Sequence, residues 1–426
     1  MANNILQQVQ TYNESNLALL LNSFAFISTS NKKFQRFNDD IPKNLGDTVT
    51  FDLPPRFTTT NSLVANFQSA EQRVHSLKVD QQASTAYDFT AQQFIFNVRD
   101  YMDKFGRSAV AEIGTRVEAD IASLAESNTY RFYGDGVTKI SSYLQLASAL
   151  AFFRNYGAAK DNVKGYLSDL TYPSIVNSGL NQFALDRNNK EAMSWEVGRF
   201  SNCEWYQSNL LKTHVAGTCG RLGLTLEVEA LIPSSSDPNQ IVAITFSGCN
   251  SSGDPVAVRK YDKFQFNDGV GALPNVRFKT FIGHEDSQSP VQFAATEDCQ
   301  SFTAGPGDFR VTVPINPPLQ WASGRNQNVS SAILPASGAT GGMQVSVLPD
   351  HRCGLIVGGS PLYVAMPKLP DESPYATSAI TDPDSGCSLR SYYGSLFGQN
   401  QRGFVHDVIW GKTLVPEYSL MIALPV

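Results

Sequence analysis

The segment NCEWYQSNLLKTHVAGTCG, Asn202 to Gly220, gathers Cys203, Glu204, His214 and Cys219, the residue types of a zinc site or a thiol active site. The spacing argues against both. A structural zinc site supplies its thiolates as close pairs, whereas Cys203 and Cys219 stand sixteen residues apart with one histidine between them. A Cys–His nucleophile needs thiol, base and an orienting third group in reach. None of the five histidines (His75, His214, His284, His351, His406) sits in a nucleophile motif, and no G-x-S-x-G occurs. His406-Asp407 lies in an expected strand, where neighbouring side chains point to opposite faces. The run Asn267-Asp268-Gly269-Val270-Gly271 lacks the following helix and the Lys-Ser/Thr of a phosphate loop, and reads as a turn. Gly341-Gly342 and Gly358-Gly359 read the same way, and Glu285-Asp286 and Glu297-Asp298 read as solvated loop tips. The expectation is no catalytic residue, no metal ligand and no cofactor. An enzyme with a scattered metal site is a competing reading that metal analysis would expose.

The totals turn attention from chemistry to architecture. The chain has 426 residues, enough for two or three buried cores, with 42% hydrophobic and only 17% charged residues. That charged share is low against the ~25% of soluble domains; with 26 Phe and 16 Tyr it predicts an exterior largely buried against other copies. A net charge of -6 lacks the basic stripe that grips nucleic acid by phosphate neutralisation. The densest basic cluster, Lys32, Lys33 and Arg36, is short and reads as part of a solvated arm. No stretch approaches the ~20 apolar residues of a membrane span, and Met1-Ala2-Asn3-Asn4-Ile5 lacks the features of a signal peptide. Six cysteines in so long a chain are expected to be reduced thiols, with the glycosylation-like Asn250 and Asn328 patterns a coincidence.

Periodicity supplies the elements. Residues 1 to 40 read as an arm. In GDTVTFDLPP, Val49, Phe51 and Leu53 alternate with Thr48, Thr50 and Asp52 before two prolines; His75, Leu77 and Val79 alternate in HSLKVD. These two strands, joined by about twenty polar and small residues, predict an extended ribbon. A lone hairpin is marginal in water, so the ribbon should lie on something, and a neighbouring subunit would serve. A long amphipathic helix follows: Phe105, Ala109, Ile113, Val117 and Ile121 recur every four residues, then Leu124 and Ala125 correct the drift. With a run-in from Phe94 it is expected to exceed thirty residues, or ~45 Å. Gly106 and Gly114 weaken it by ~1 kcal/mol each, so packing must hold it. SSYLQLASALAFFRNYG predicts a second helix ending at Gly157. Beyond it, Leu222, Leu224, Leu226 and Val228 alternate with polar residues, and IVAITF, KFQF, VRFKTFI, VQFAAT and FRVTVPI read as short strands of an inserted barrel or sandwich. GFVHDVIWGKTLVPEYSLMIAL closes the chain as strand, turn and strand.

In element order, the chain resembles the major capsid proteins of tailed bacteriophages with the Hong Kong ninety-seven fold, and more narrowly the P-twenty-two-type coat proteins that carry an inserted β-domain. Local segments are similar too: Phe200, Tyr206, Ser208-Asn209-Leu210 and Thr213-His214-Val215-Ala216-Gly217 before the insertion, then RKYDKFQFNDGV, with Arg259 for the family's Lys and Tyr261 for its Gly. NQNVSSAILPASGA and LVPEYSLMIAL match segments near the insertion's end and the C-terminus. Cys203 and Cys219 then become small hydrophobes at a domain junction, where Gly217 and Gly220 are expected to give the backbone shapes that other residues resist.

The resemblance implies an α+β capsid fold. Its parts are an arm (1–40), an extended loop (41–80), a peripheral domain with a spine helix (81–130), an axial domain (131–219), an inserted barrel-like domain (220–345), and a return through 346–426. It implies a major capsid protein that self-assembles as hexamers and pentamers into an icosahedral head around double-stranded DNA. The implied partners are a scaffolding protein, a portal and a decoration protein, with no sequence-specific DNA binding. The implied location is the virion, assembled in the host cytoplasm. Lys32, Lys33 and Arg36 become candidate scaffold contacts, and Val49, Phe51 and Leu53 candidate intersubunit contacts. The alternative from another class is a β-rich tail or receptor-attachment protein, which predicts trimers or hexamers in solution and leaves the spine helix unexplained.

Overall fold

The computed structural model describes residues 14, 16–21, 24–32, 48–59, 63, 67–69, 71–90, 105–157, 161–176, 196–251, 254–267, 275–305, 308–336, 342–370, 376–382, 387–395 and 401–426. The chain divides into two units, one of residues 1–52, 74–124 and 360–414, the other of 53–73, 125–359 and 415–426.

The first unit is built on the helix Arg107–Ala122 and an antiparallel sheet. At ~1.5 Å per residue the helix spans ~24 Å, and the run-in expected from Phe94 lies largely outside the described residues. Ala109, Ile113, Val117 and Ile121 are buried on the expected stripe. Phe105 is not; it sits half-exposed in the short π-helical run-in, residues 105–106, that leads into the helix. Gly114 explains itself by packing, since a Cβ there would lie 2.1 Å from the Phe24 ring. The sheet runs Thr48–Leu53, Arg73–Thr90, Gln401–Leu414, Ser388–Ser395, Ala376–Thr381, with Leu362–Ala365 also pairing Gln401–Leu414. The second ribbon strand therefore continues ten residues past the expected Asp80, to Thr90. Arg390 and Asp407 form a buried ion pair at 2.5 Å, while His406 meets Ser391 at 2.6 Å, so the adjacent His406 and Asp407 do serve opposite partners.

The second unit holds a mixed sheet and a barrel. The sheet runs Phe132–Tyr133, Ser419–Leu424, His351–Val357, Lys164–Leu167, Cys203–Gln207, Glu196–Phe200, with the short strand Thr213–His214 on His351–Val357. Against it packs the helix Tyr143–Asn155, opened by a capping box of Ser142 and Gln145 and ended at Gly157, whose φ of +78° is left-handed.

The barrel sheet runs Gln292–Ala295, Lys263–Phe266, Gln344–Val347, Thr225–Pro233, Ile241–Ser247, Asp308–Leu319, Phe302–Gly305. It closes because Gln292–Ala295 also pairs Asp308–Leu319, Ala294 facing Asn316. Alternation does the sorting: Leu226, Val228, Ile244, Phe246, Phe264, Val311, Val313 and Val345 are buried inside. Glu229 and Arg310, from the strands on either side of Ile241–Ser247, meet at 3.0 Å. Phe246, Phe264 and Phe293 stack nearly parallel in the core. Two sequence readings shift. Leu222 is exposed because residues 218–221 form a helical turn before the strand starts at Thr225. The VRFKTFI segment contributes only Arg277–Lys279, in a separate hairpin with Asp286–Pro290, because a turn begins at Phe281.

Candidate assembly surface and domain junction

Two places concentrate exposed apolar side chains and buried ionic groups. One is the end of the ribbon. Its strands are half-polar, and Val49, Phe51 and Leu53 form the inward face of Thr48–Leu53. Phe51 packs on Leu77, Ala365, Val79 and Tyr363 of the same chain, with the Tyr363 ring 4.4 Å away. The support expected from a neighbour is thus supplied to Phe51 intramolecularly, because Leu362–Ala365 and Gln401–Leu414 bring an apolar floor beneath it.

Past the prolines the chain reaches the ribbon's tip, which belongs to the second unit. The Gln68 side chain bonds both the N–H and the carbonyl of Thr58, closing the tip like a sheet rung. Arg56 and Arg73 converge on Glu417 and lie over the Phe281 ring at 4.2 and 5.5 Å. Arg325, from the barrel, holds the Ser69 carbonyl and the Glu71 carboxylate. In contrast, Leu63 and Phe67 are fully exposed and Phe57 half-exposed. Sequence reasoning placed the ribbon but missed these residues; the signal was the Phe57, Leu63 and Phe67 set inside an otherwise polar connection.

Of the basic arm cluster, Lys32 lies in the first unit, near enough to Glu118 for its charge to favour that carboxylate, and Lys33 and Arg36 fall outside the described residues.

The second place is the junction between sheet and barrel, within the second unit. Gly217 has φ -64° and ψ 171°, ordinary extended backbone, so the expected need for an unusual conformation is replaced by a need for space. A Cβ on Gly217 would lie 2.3 Å from the Ala257 carbonyl oxygen, and one on Gly220 would lie 2.3 Å from that of Leu348. The positive φ falls instead on Gly223. Tyr261, standing where the resembled family has glycine, takes φ +73° and so keeps the left-handed turn.

His214 sits at the centre of the junction. Its Nδ1 is 2.7 Å from Glu126 Oε1 and its Nε2 is 2.7 Å from Asp262 Oδ1. Asp262 also accepts the N–H groups of Gly217 and Arg259, at 3.1 and 2.8 Å. Lys263 Nζ donates to the carbonyls of Glu126 and Thr129, and the His351 ring lies 5.2 Å from that of His214. Burial pushes the Cys219 and Cys353 thiols up to about 12 and Cys203 still higher, so these sulfurs stay protonated and pack as hydrophobes. Among the described residues no cluster of His, Cys, Asp and Glu has the arrangement of a metal site.

No family model matches the sequence, and no curated protein matches it. Solved structures do. One from Mycobacterium phage Che8 is similar at 8% identity over 94% of this chain and 91% of that one, with a TM-score of 0.45. The capsid of Ralstonia phage GP4 is similar at 8% identity over 95% and 91%, with a TM-score of 0.44. The capsid structure of the cyanophage P-SCSP1u follows at 9% identity over 89% and 84%, with a TM-score of 0.39.

Proposed function

We propose that this chain is the major capsid protein of a tailed phage, building by self-assembly the icosahedral head that encloses the double-stranded DNA. The observation that carries the reading is the ribbon tip, where Leu63 and Phe67 stand fully exposed on the connection between the two strands. Such side chains find their burial on another copy, and many contacts of modest size multiply in a closed shell. In this reading the first unit is the peripheral domain with its spine helix, and the sheet of the second is the axial domain around the local symmetry axes of hexamers and pentamers. The barrel stabilises the subunit or bridges capsomers. Val49 and Leu53, only half-buried within their own chain, add to the intersubunit face, whereas Phe51 is held by its own chain's floor. A scaffolding protein meets the arm near Lys32, Lys33 and Arg36; a portal and a decoration protein complete the partners. The net charge of -6 suits a wall that must not bind its DNA tightly. The subunit is made and assembled in the host cytoplasm and ends in the virion.

The test is a Leu63→Ser, Phe67→Ser double variant followed by sedimentation and circular dichroism. The reading expects folded subunits that no longer form shells under conditions where the parent chain does. Shells of unchanged yield would overturn it, and stable trimers or hexamers of the parent chain without shells would favour the attachment-protein alternative.

A further inference from the structure

Among the described residues, His214 is the imidazole flanked by a carboxylate at each ring nitrogen, with side-chain exposure of only 4%. The three groups come from different places: Glu126 from the helical turn Leu124–Ser127, His214 from the strand beside His351–Val357, and Asp262 from the start of the barrel strand Lys263–Phe266. Both carboxylates can accept only if both nitrogens carry protons; a neutral ring would turn a lone pair towards one of them. Asp262 in turn fixes the Gly217 and Arg259 amides, one on each side of the crossing from sheet to barrel.

We propose that His214 is a protonation-dependent latch fastening the inserted barrel to its host sheet, closed while the ring is an imidazolium and loosened when it is neutral. The inference concerns the folded subunit and does not depend on the shell reading. The surrounding charges define the window. Burial alone would depress His214, but its bonds to Asp262 and Glu126 and their charges outweigh it and leave the value above 6.5. A group raised in the folded state contributes stability that is complete below its unfolded value and is lost as pH rises through the folded one. Lys263 keeps its proton up to about 8, His351 is neutral above about 4, and Cys353 is a thiol until about 12. Asp350, which accepts the Ala216 N–H and the Arg221 guanidinium, is held low despite a desolvation cost. His351 is therefore already neutral where His214 gives up its proton, above 6.5.

The experiment is a titration of the full-length chain with labelled histidine rings, read by NMR, alongside hydrogen-exchange protection of the segments 213–222 and 257–263 at each pH. The expected result is a ring titrating above 6.5, with loss of protection in both segments through the same midpoint. In His214→Gln that pH-dependent step should vanish, whereas His351→Gln should retain it. A ring that titrates below 6.5, or protection that stays flat across its titration in the parent chain, would overturn the latch. If His214→Gln fails to fold, the parent-chain titration alone decides.

Discussion

Glu118, on the helix Arg107–Ala122, accepts the backbone N–H of Phe26 at 2.8 Å and so caps a helix to which it does not belong. Its second oxygen takes the N–H of Ile27 at 3.0 Å. The helix Ala25–Thr29 needs this, because Phe24 at its N-cap has no side-chain acceptor. Glu118→Ala should cost about 1–2 kcal/mol and raise hydrogen exchange at Phe26 and Ile27.

The same carboxyl carries a pH signature. Burial outweighs the bonds from Phe26 and Ile27 and raises Glu118 from 4.5 to about 7. The folded state thus holds a proton that the unfolded state has released, and stability falls as pH rises across that interval, by on the order of 3 kcal/mol. Glu118→Gln removes the titration. The difference in unfolding free energy, variant minus parent, should climb between pH 4.5 and 7; a flat difference would refute the assignment.

Two buried histidines act with the opposite sign. Burial lowers both His351 and His406 from 6.5 to about 4. Here the unfolded state binds the proton first, so stability is lost as pH falls from 6.5 to 4, by up to about 3 kcal/mol for each ring. Glu118 partly masks this loss in the parent chain. Chemical unfolding of Glu118→Gln as a function of pH should expose a steeper acid limb.

The junction glycines separate space from conformation. Gly217→Ala and Gly220→Ala press a methyl onto backbone carbonyls and should each cost about 1–3 kcal/mol or more by overpacking. Gly223→Ala meets nothing within 4 Å but must hold φ +61°, and should cost only about 1 kcal/mol. Equal losses in denaturant melts would contradict the distinction.

Tyr261 supplies the converse case. Its φ of +73° is a conformation in which glycine is unstrained. Tyr261→Gly should raise the unfolding free energy by about 1 kcal/mol, provided the Tyr261 N–H keeps its 2.8 Å bond to the Ala295 carbonyl.

Much of this fold was legible in the sequence because side-chain periodicity is local. Ala109, Ile113, Val117 and Ile121 mark a helix face, and Leu226 and Val228 a strand face, without reference to partners. What escaped depends on distant residues. The pairing of Arg73–Thr90 with Gln401–Leu414 lengthens the ribbon strand, and nothing near Asp80 announces it. The His214 site joins residues 88 and 48 positions away in the chain, so the spacing that disqualified it as a zinc site also hid it as an ionic one. Gly217 was located by sequence, but its reason was not, since the crowding carbonyl arrives from Ala257.

Electron microscopy of the purified chain, produced with and without the products of its neighbouring genes, tests the capsid assignment most directly. The account predicts closed shells of uniform size when a scaffolding partner is present, with Leu63 and Phe67 buried against an adjoining copy. Discrete oligomers under every condition, with those two side chains still facing solvent, would contradict it.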